Sequence, residues 1–294
     1  MVIIVRVCGG LGNQLYHYAL GKAYSKKKNC DLLFDITPYK NFKLLNDIST
    51  SKVHGFYCLK LYKTDVKIAS PEECNRVKRL VTKRIDFPKY LKKLLRISDD
   101  YISHNLNYKG AKDNKFLYDF KGDLYFNGHF RSQDYLKDCR DELIKDFTLD
   151  IPLDEKNLYM LHRIKSTNSV SLHIRRGDYV RLNHVLSFAY YKRAIDYICK
   201  KEKNPHFYVF SNDANWVREN LNISAPFTPI DINPPNKGFY DLELMRNCKH
   251  NIIANSTFSW WGAWLNQNPK KVVIAPYTGN TYIYPETWKQ VDRK

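Results

Sequence analysis

The sequence predicts an α/β protein built on parallel sheets with helices on both faces. Apolar, β-branched runs alternate with segments of helical spacing along most of the chain, the pattern of successive strand–helix–strand units. Two of those runs, residues 2–7 and 170–174, lead straight into turns rich in glycine, amide or charged residues. A third, residues 251–254, leads into Asn255-Ser256-Thr257, residue types that start helices. Polar residues just beyond the carboxyl ends of strands are where open α/β sheets bind ligands.

Taken in order, Val2, Ile3, Ile4, Val5 and Val7 suit a buried parallel strand over 2–8. Gly9, Gly10 and Gly12 allow a tight turn and close backbone approach to a ligand. Asn13 and Gln14 add two neutral amides able to hydrogen-bond hydroxyls. Leu15, Tyr18, Ala19, Lys22 and Ala23 carry helical spacing, so a helix is expected over 14–28 and a strand over 31–35. The turn is not a P-loop, which ends in Lys-Ser/Thr. It is not a dinucleotide fingerprint either, because Leu15 stands where the third glycine belongs. A basic, largely helical region follows to about residue 100. Leu124 to Tyr135 reads as a strand, a Gly128-His129 turn and a helix start near Ser132. Ile151-Pro152-Leu153 opens a linker expected over about 151–165.

Val170 to Tyr179 is the most informative stretch. Its alternation reads as a strand over 169–175 that ends on His173, Arg175, Arg176, Gly177 and Asp178. Guanidinium forks suit phosphate oxygens and stay charged when desolvated; taken alone, an Arg-Asp ion pair after a strand is the plainer reading. Helices are expected over 187–201, 213–220, 239–247 and 257–266, with strands over 206–211, 251–254 and 272–275 and a tail carrying Trp288. At the last helix, the free backbone N–H groups and the dipole make an anion site, to which Ser256 and Thr257 add hydroxyl donors. Trp261 and Trp264, three residues apart, read as core.

Lys and Arg exceed Asp and Glu by 18 charges. Much of the excess lies over 76–96, where Leu80, Leu91, Leu94 and Leu95 interleave with basic residues. Such a segment suits either a solvated basic face or peripheral contact with an anionic membrane surface. No nucleic-acid-binding signature accompanies it, so no nucleic-acid partner is expected. No run approaches the roughly 18 apolar residues of a membrane span, and the chain enters a strand at once with no signal-peptide pattern. The expected location is therefore cytoplasmic, with peripheral attachment at the inner face of the membrane as the open alternative. The seven cysteines form no C-x-x-C pair, so neither a disulfide framework nor a zinc site is indicated.

Taken together, Gly-Gly-Leu-Gly-Asn-Gln at 9–14, His-Ile-Arg-Arg-Gly-Asp-Tyr at 173–179, Phe210-Ser211-Asn212-Asp213 with Trp216, and the run from Cys248 to Trp261 resemble glycosyltransferase family 11, the α-1,2-fucosyltransferases. The resemblance spans nearly the whole chain. It implies the GT-B arrangement, two Rossmann-like domains facing a cleft. The division expected is an acceptor-side domain over 1–155 with the basic helical insertion, and a GDP-fucose-binding domain over 156–294 whose tail packs back on the first. The His-x-Arg-Arg-x-Asp core is also similar to that of α-1,6- and protein O-fucosyltransferases, so the donor GDP-fucose is implied more firmly than a galactose-terminated acceptor.

The resemblance further implies an inverting displacement. No D-x-D occurs in the sequence, so no metal and no cofactor are expected, and Arg175 is expected to meet the β-phosphate with Ser256 and Thr257. His173 is similar to the family histidine near the guanine. Arg176 and Asp178 are expected to pair and fix the loop, and Arg176, Asn212 and Asn255 are expected among the GDP-fucose contacts. Asp213 and Asp241 are candidates for accepting from guanine N1–H and N2–H₂, with helix capping the alternative for each. Phe258 or Trp260 is expected to stack on the base. Gly10, Gly12 and Asn13 are expected to contact GDP-fucose, with Asn13 holding either its fucose ring or the acceptor. The general base is left open between His129, Asp178 and His184, with the diphosphate itself as a further acceptor of the proton. Two other functions stay open: a fucosyltransferase of different linkage, and a non-catalytic GDP-sugar or nucleic-acid binder.

Overall fold

A computed structural model of the chain describes residues 1–39, 56–84, 122–128, 131–279 and 283–294. They divide into two compact units, Met1–Asp150 and Ile151–Lys294. Each is a parallel α/β layer structure, the class the sequence predicts.

In the first unit, β1 (Val2–Arg6) lies between β2 (Asp31–Asp35) and β3 (Leu124–Phe126), all parallel. The 18-residue helix α1 (Leu11–Lys28) joins β1 to β2. It approaches so closely that a Cβ on Gly21 would sit 2.7 Å from Leu32 and 3.1 Å from Val5. On the other face Val2, Ile4 and Tyr125 pack against Ala69, and against Cys74 and Val77 of α2 (Pro71–Arg84). Asp35, at the end of β2, is buried and accepts from the Thr37 backbone N–H at 2.9 Å, the Thr37 hydroxyl at 2.6 Å and the Tyr125 hydroxyl, with Lys78 Nζ at 3.3 Å. Burial pushes its pKa up, but these donors and the ammonium outweigh that and hold it at about 2. The unit ends with α3 (Arg140–Asp146).

The second unit opens with α4 (Glu155–Ser166) and holds a six-stranded parallel sheet in the order β6-β5-β4-β7-β8-β9. The strands are β4 (Asn168–Ile174), β5 (Pro205–Ser211), β6 (Phe227–Ile230), β7 (His250–Ile252), β8 (Val273–Pro276) and β9 (Lys289–Val291). After β4 come α5 (Asp178–Arg181) and α6 (Phe188–Lys201), after β5 α7 (Ala214–Asn220), and around β7 α8 (Gly238–Arg246) and α9 (Thr257–Leu265). Strand alternation sorts the core. Val170, Leu172, Ile174, Phe207 and Val209 pack on the α6 and α7 side, while Tyr208 and Phe210 pack with Met160 and Ile164 of α4 and Leu244 and Met245 of α8.

Two expectations are corrected. The linker over 151–165 is in its larger part α4, capped by Asp154, whose side chain accepts from the Asn157 backbone N–H. The C-terminal tail does not leave the second unit: β9 pairs with β8, and Arg193 of α6 donates to the carbonyls of Asp292 and Lys294. Pairing along the open edge of β8 satisfies backbone groups of the tail in register. Of the basic stretch 76–96, residues beyond 84 lie outside the described residues. No helix among the described residues is long and apolar enough to cross a membrane.

Candidate functional site

In the second unit the chain runs from β4 outward to β5 and β6, then returns to place β7 on the other side of β4. That reversal is a topological switch point. In open α/β sheets ligands bind outside the carboxyl ends of the strands at such a point, here the loops that leave β4 and β7. The first loop carries Arg175 to Asp178 and the second Asn255 to Phe258.

Arg175 Nη2 donates to Asp178 Oδ1 at 2.6 Å, and its guanidinium carbon lies 5.3 Å from the centre of the Tyr179 ring. The Tyr179 hydroxyl donates to the Asn255 carbonyl at 3.3 Å, and Asn255 Nδ2 donates to the His184 carbonyl at 2.9 Å. The two loops are thus tied together beside Arg175. Three buried polar atoms here, Arg175 Nε, His173 Nδ1 and Asn255 Oδ1, have no hydrogen-bond partner among the described residues. Buried polar groups are as a rule paired with protein, water or ligand, so these three atoms can take a polar partner at the loops. His173 ends the polar face of β4, after Ser169 and Ser171. Burial, then the nearby Arg175, lowers its pKa to about 3, so it is a neutral imidazole at physiological pH.

The expected pairing of Arg176 with Asp178 is corrected. Gly177 takes φ +43°, and its Cα lies so close to Asn212 that a Cβ would meet Nδ2 at 2.1 Å. That bend brings Asp178 back onto Arg175. Arg176 turns to the loop after β5, where Nε donates to Asp213 Oδ2 at 3.3 Å, its guanidinium covers Trp216 at 3.9 Å, and its backbone N–H donates to Asn212 Oδ1 at 2.9 Å. Asp213 Oδ1 accepts from the Trp216 backbone N–H at 3.2 Å, so Asp213 caps α7 and holds Arg176. The structure therefore gives its capping alternative.

Ser256 is the N-cap of α9, its Oγ accepting from the Phe258 backbone N–H at 3.3 Å. Thr257 is the first residue of that helix. Trp260 is not available to stack on a base. It is buried against Trp261, Trp264 and Trp288, and its indole N–H donates to the Ile283 carbonyl at 2.9 Å. Phe258 faces the other way: its ring is 5.8 Å from that of His173, and a Cβ on Gly238 would lie 3.8 Å from it. Asp241 is one turn along α8 from Gly238. It is not a cap, since Lys237 holds that position. Its carboxyl is buried and accepts from Asn233 Nδ2 at 2.7 Å. Burial raises its pKa to about 7, against the lowering effect of that hydrogen bond.

The first unit has its own switch point, between β1 and β3. Gly9 takes φ +78° and Gly10 caps α1 without a side chain. Gly12 and Asn13 lie in the first turn. Gln14 corrects its expectation: it is fully buried, donating to the carbonyls of Gly9 at 3.0 Å and Phe56 at 2.6 Å and accepting from the Cys58 backbone N–H at 2.8 Å. Its amide group is thus engaged in building the turn. His17 Nε2 bonds the Gly128 carbonyl at 2.8 Å, and Arg6 donates to Asn127 Oδ1 at 3.1 Å, so the loop after β3 lies beside the glycine turn. His129 follows Gly128 but lies outside the described residues.

Sequence reasoning gave no role to Tyr179, Asn157 or Asn233. The first sits inside the quoted motif; the amides carry no sequence signal of their partnership. Among the described residues no group of three or more His, Cys, Asp or Glu side chains is arranged to hold a metal ion.

The family model for glycosyl transferase family 11 matches residues 2–288. An Escherichia coli alpha-1,2-colitosyltransferase is 34% identical over 285 residues, covering 94% of this chain and 91% of the relative. An Escherichia coli O-antigen biosynthesis glycosyltransferase, WbnK, is 29% identical, covering 92% and 94%. The crystal structure of fucosyltransferase NodZ from Bradyrhizobium aligns with a TM-score of 0.47 at 11% identity, covering 89% of this chain and 91% of that one.

Proposed function

This chain belongs to glycosyl transferase family 11 and is a glycosyltransferase, and from that premise we propose that it moves L-fucose from GDP-β-L-fucose to the 2-hydroxyl of a terminal β-galactoside. We read the reaction as inverting and independent of metal or other cofactor. The observation that carries the reading is Arg175, fixed by Asp178 and Tyr179 at the switch point beside the start of α9. The acceptor is a glycan of O-antigen or free-oligosaccharide type, in keeping with the name of the WbnK relative.

In the proposed step the acceptor oxygen attacks the anomeric carbon while the bond to the β-phosphate oxygen breaks. Negative charge grows on the leaving GDP. Arg175, the start of α9 and the hydroxyls of Ser256 and Thr257 stabilise it, and charge held in place beforehand is often the largest catalytic contribution. Phe258, backed by neutral His173, lies against the base, and Asp241 accepts from guanine N1–H and N2–H₂. Gly10, Gly12 and Asn13 hold the acceptor or the fucose ring. Asp178 is held by Arg175, which suits it to orienting the guanidinium more than to taking a proton. The base is therefore sought first at His129, then at His184, with the diphosphate as the remaining acceptor.

A second reading has one observation in its favour. The 34% identical relative is named a colitosyltransferase, so the same nucleotide carrying colitose is the rival donor. We also propose peripheral attachment through 76–96, at about 1 kcal/mol per basic residue near an anionic surface. Flotation with phosphatidylserine vesicles at low and high salt checks it; a chain that stays with the soluble fraction at low salt sinks that proposal.

The test of function is GDP release from GDP-fucose with EDTA present, with and without β-galactosides, wild type beside Arg175→Ala. Galactoside-dependent release that survives EDTA and collapses in the variant supports the reading. Binding of GDP-fucose without turnover on any galactoside moves the assignment to another acceptor or donor sugar.

A further inference from the structure

We propose that Asn157 and Asn233 are a positioning pair for nucleobase recognition, holding the Asp241 carboxylate so that it presents an acceptor edge to the N–H groups of guanine; this rests on the base-site reading above. The three residues come from separate elements. Asn157 lies in the first turn of α4, Asn233 in the loop after β6, and Asp241 in the first turn of α8. Asn233 follows the carboxyl end of β6 and α8 begins there on its way to β7, so Asn233 and Asp241 sit at the carboxyl edge of the sheet, and Asn157 is joined to them by its bonds to Asn233.

The two carboxamides face each other reciprocally. Asn157 Nδ2 donates to Asn233 Oδ1 at 2.8 Å, and Asn233 Nδ2 donates to Asn157 Oδ1 at 2.9 Å. The second proton of each amide is also used, by Asp154 Oδ1 at 2.7 Å and Asp241 Oδ1 at 2.7 Å. Asp154 sets the direction of the relay. Its carboxylate caps α4 and only accepts, so Asn157 must turn its amino group toward it and its carbonyl toward Asn233. Asn233 must then turn its amino group toward Asn157 and Asp241. Neither amide can flip without facing acceptor against acceptor and leaving buried donors unpaired. Asn157 is fully buried, so water does not relieve such a flip. One oxygen of Asp241 is thereby engaged by a fixed donor, and the carboxylate plane is set. Gly238, one turn before Asp241, faces Phe258, and Phe258 faces His173. Guanine offers two donors to such an edge. Adenine offers an acceptor at N1 and is mismatched.

The experiment measures the dissociation constants of GDP and ADP, and inhibition by pyrophosphate, for wild type, Asp241→Asn, Asn233→Ala, Asn157→Ala and the Asp241→Asn/Asn233→Ala double variant. Loss of the fixed donor is expected to reduce the GDP-over-ADP preference on the order of tenfold, with pyrophosphate inhibition within about twofold of wild type. In the double variant no further loss is expected, because the pair acts through Asp241. A folded Asn233→Ala that keeps the full preference, while Asp241→Asn loses it, overturns this inference alone. Equal losses for GDP and pyrophosphate do the same, since they report general damage. An Asp241→Asn that keeps the preference overturns the base-site reading and this inference with it. Side-chain amide NMR of the wild type needs no variant: the Asn157 and Asn233 signals are expected to shift on adding GDP and to stay with pyrophosphate. Shifts absent with GDP overturn the proposal.

Discussion

Arg175 and Asp178 form an ion pair at 2.6 Å across a single turn that exists because Gly177 adopts φ +43°. The pair is partly sheltered, with the arginine side chain 14% and the aspartate 31% exposed. Asp178 thus fixes one face of the guanidinium, and Nε has no partner among the described residues. Arg175→Ala is expected to cut turnover by two to three powers of ten, roughly the loss of one oriented donor at a developing anion. Arg175→Lys should recover little, since an ammonium lacks the planar fork. Asp178→Asn should fall about tenfold with the melting temperature little changed. Initial rates and melts on the three variants check this. An Arg175→Ala enzyme with turnover near wild type would remove Arg175 from the chemistry.

Tyr179 contributes to Arg175 in two separable ways. Its ring lies beneath the guanidinium and its hydroxyl ties the loop to Asn255. Tyr179→Phe keeps the ring contact and is expected to lose severalfold in kcat; Tyr179→Leu loses both and should fall further, on the order of 1 kcal/mol in barrier. The KM for the proposed galactoside acceptor should hold in both. If Leu and Phe behave alike, the ring contact contributes nothing and only the tie matters.

Much of this architecture can be read from the residues themselves. The alternation in Val170-Ser171-Leu172-His173-Ile174 gives both the strand and its polar face, and it put Arg175 at the carboxyl end where β4 stops. Helix α4 escaped notice because its buried stripe is only Asn157, Met160 and Ile164, among basic residues that follow Pro152. Strand β6 carries Pro229, which argues against a central strand; it is tolerated because β6 is an edge. Trp260 and Phe258 are two residues apart on one helix, about 200° around it. Composition does not say which of the two faces the core. The exchange of partners between Arg175 and Arg176 depends on one positive φ, a quantity no spacing rule supplies.

Asp35 holds β2, β3 and α2 together through Thr37, Tyr125 and Lys78. Its pKa is lowered from 3.8 to about 2. The unfolded chain therefore binds more protons across that interval. The stability from Asp35 is complete above pH ~4 and is lost as pH falls through ~2. Asp35→Asn is expected to cost about 2–4 kcal/mol at pH 7, because the donors and Lys78 lose their anion. Urea melts at pH 7 and pH 3 check the sign: the gap between variant and wild type should narrow at the lower pH. A gap that widens would assign the cost to packing.

Asp241 has the opposite sign. Burial raises its pKa from 3.8 to about 7, so over that interval the unfolded chain is ionised while the folded chain keeps its proton. Stability is greatest below pH ~4 and falls as pH rises toward 7. Asp241→Asn keeps the shape and the bond accepted from Asn233 but cannot ionise. It is expected to raise the melting temperature at pH 8 and to leave it near wild type at pH 4.5. The proposed guanine contact runs against this, because N1–H and N2–H₂ need the ionised carboxylate. GDP affinity should therefore strengthen between pH 6 and 8, with proton release on binding near pH 7. Calorimetry in two buffers of different ionisation enthalpy measures that release directly. No release at pH 7, with an affinity flat from pH 6 to 8, would take Asp241 out of the base site. A variant that gains stability at pH 8 while losing GDP would mean that the chain gives up stability here to keep a charge available for its ligand.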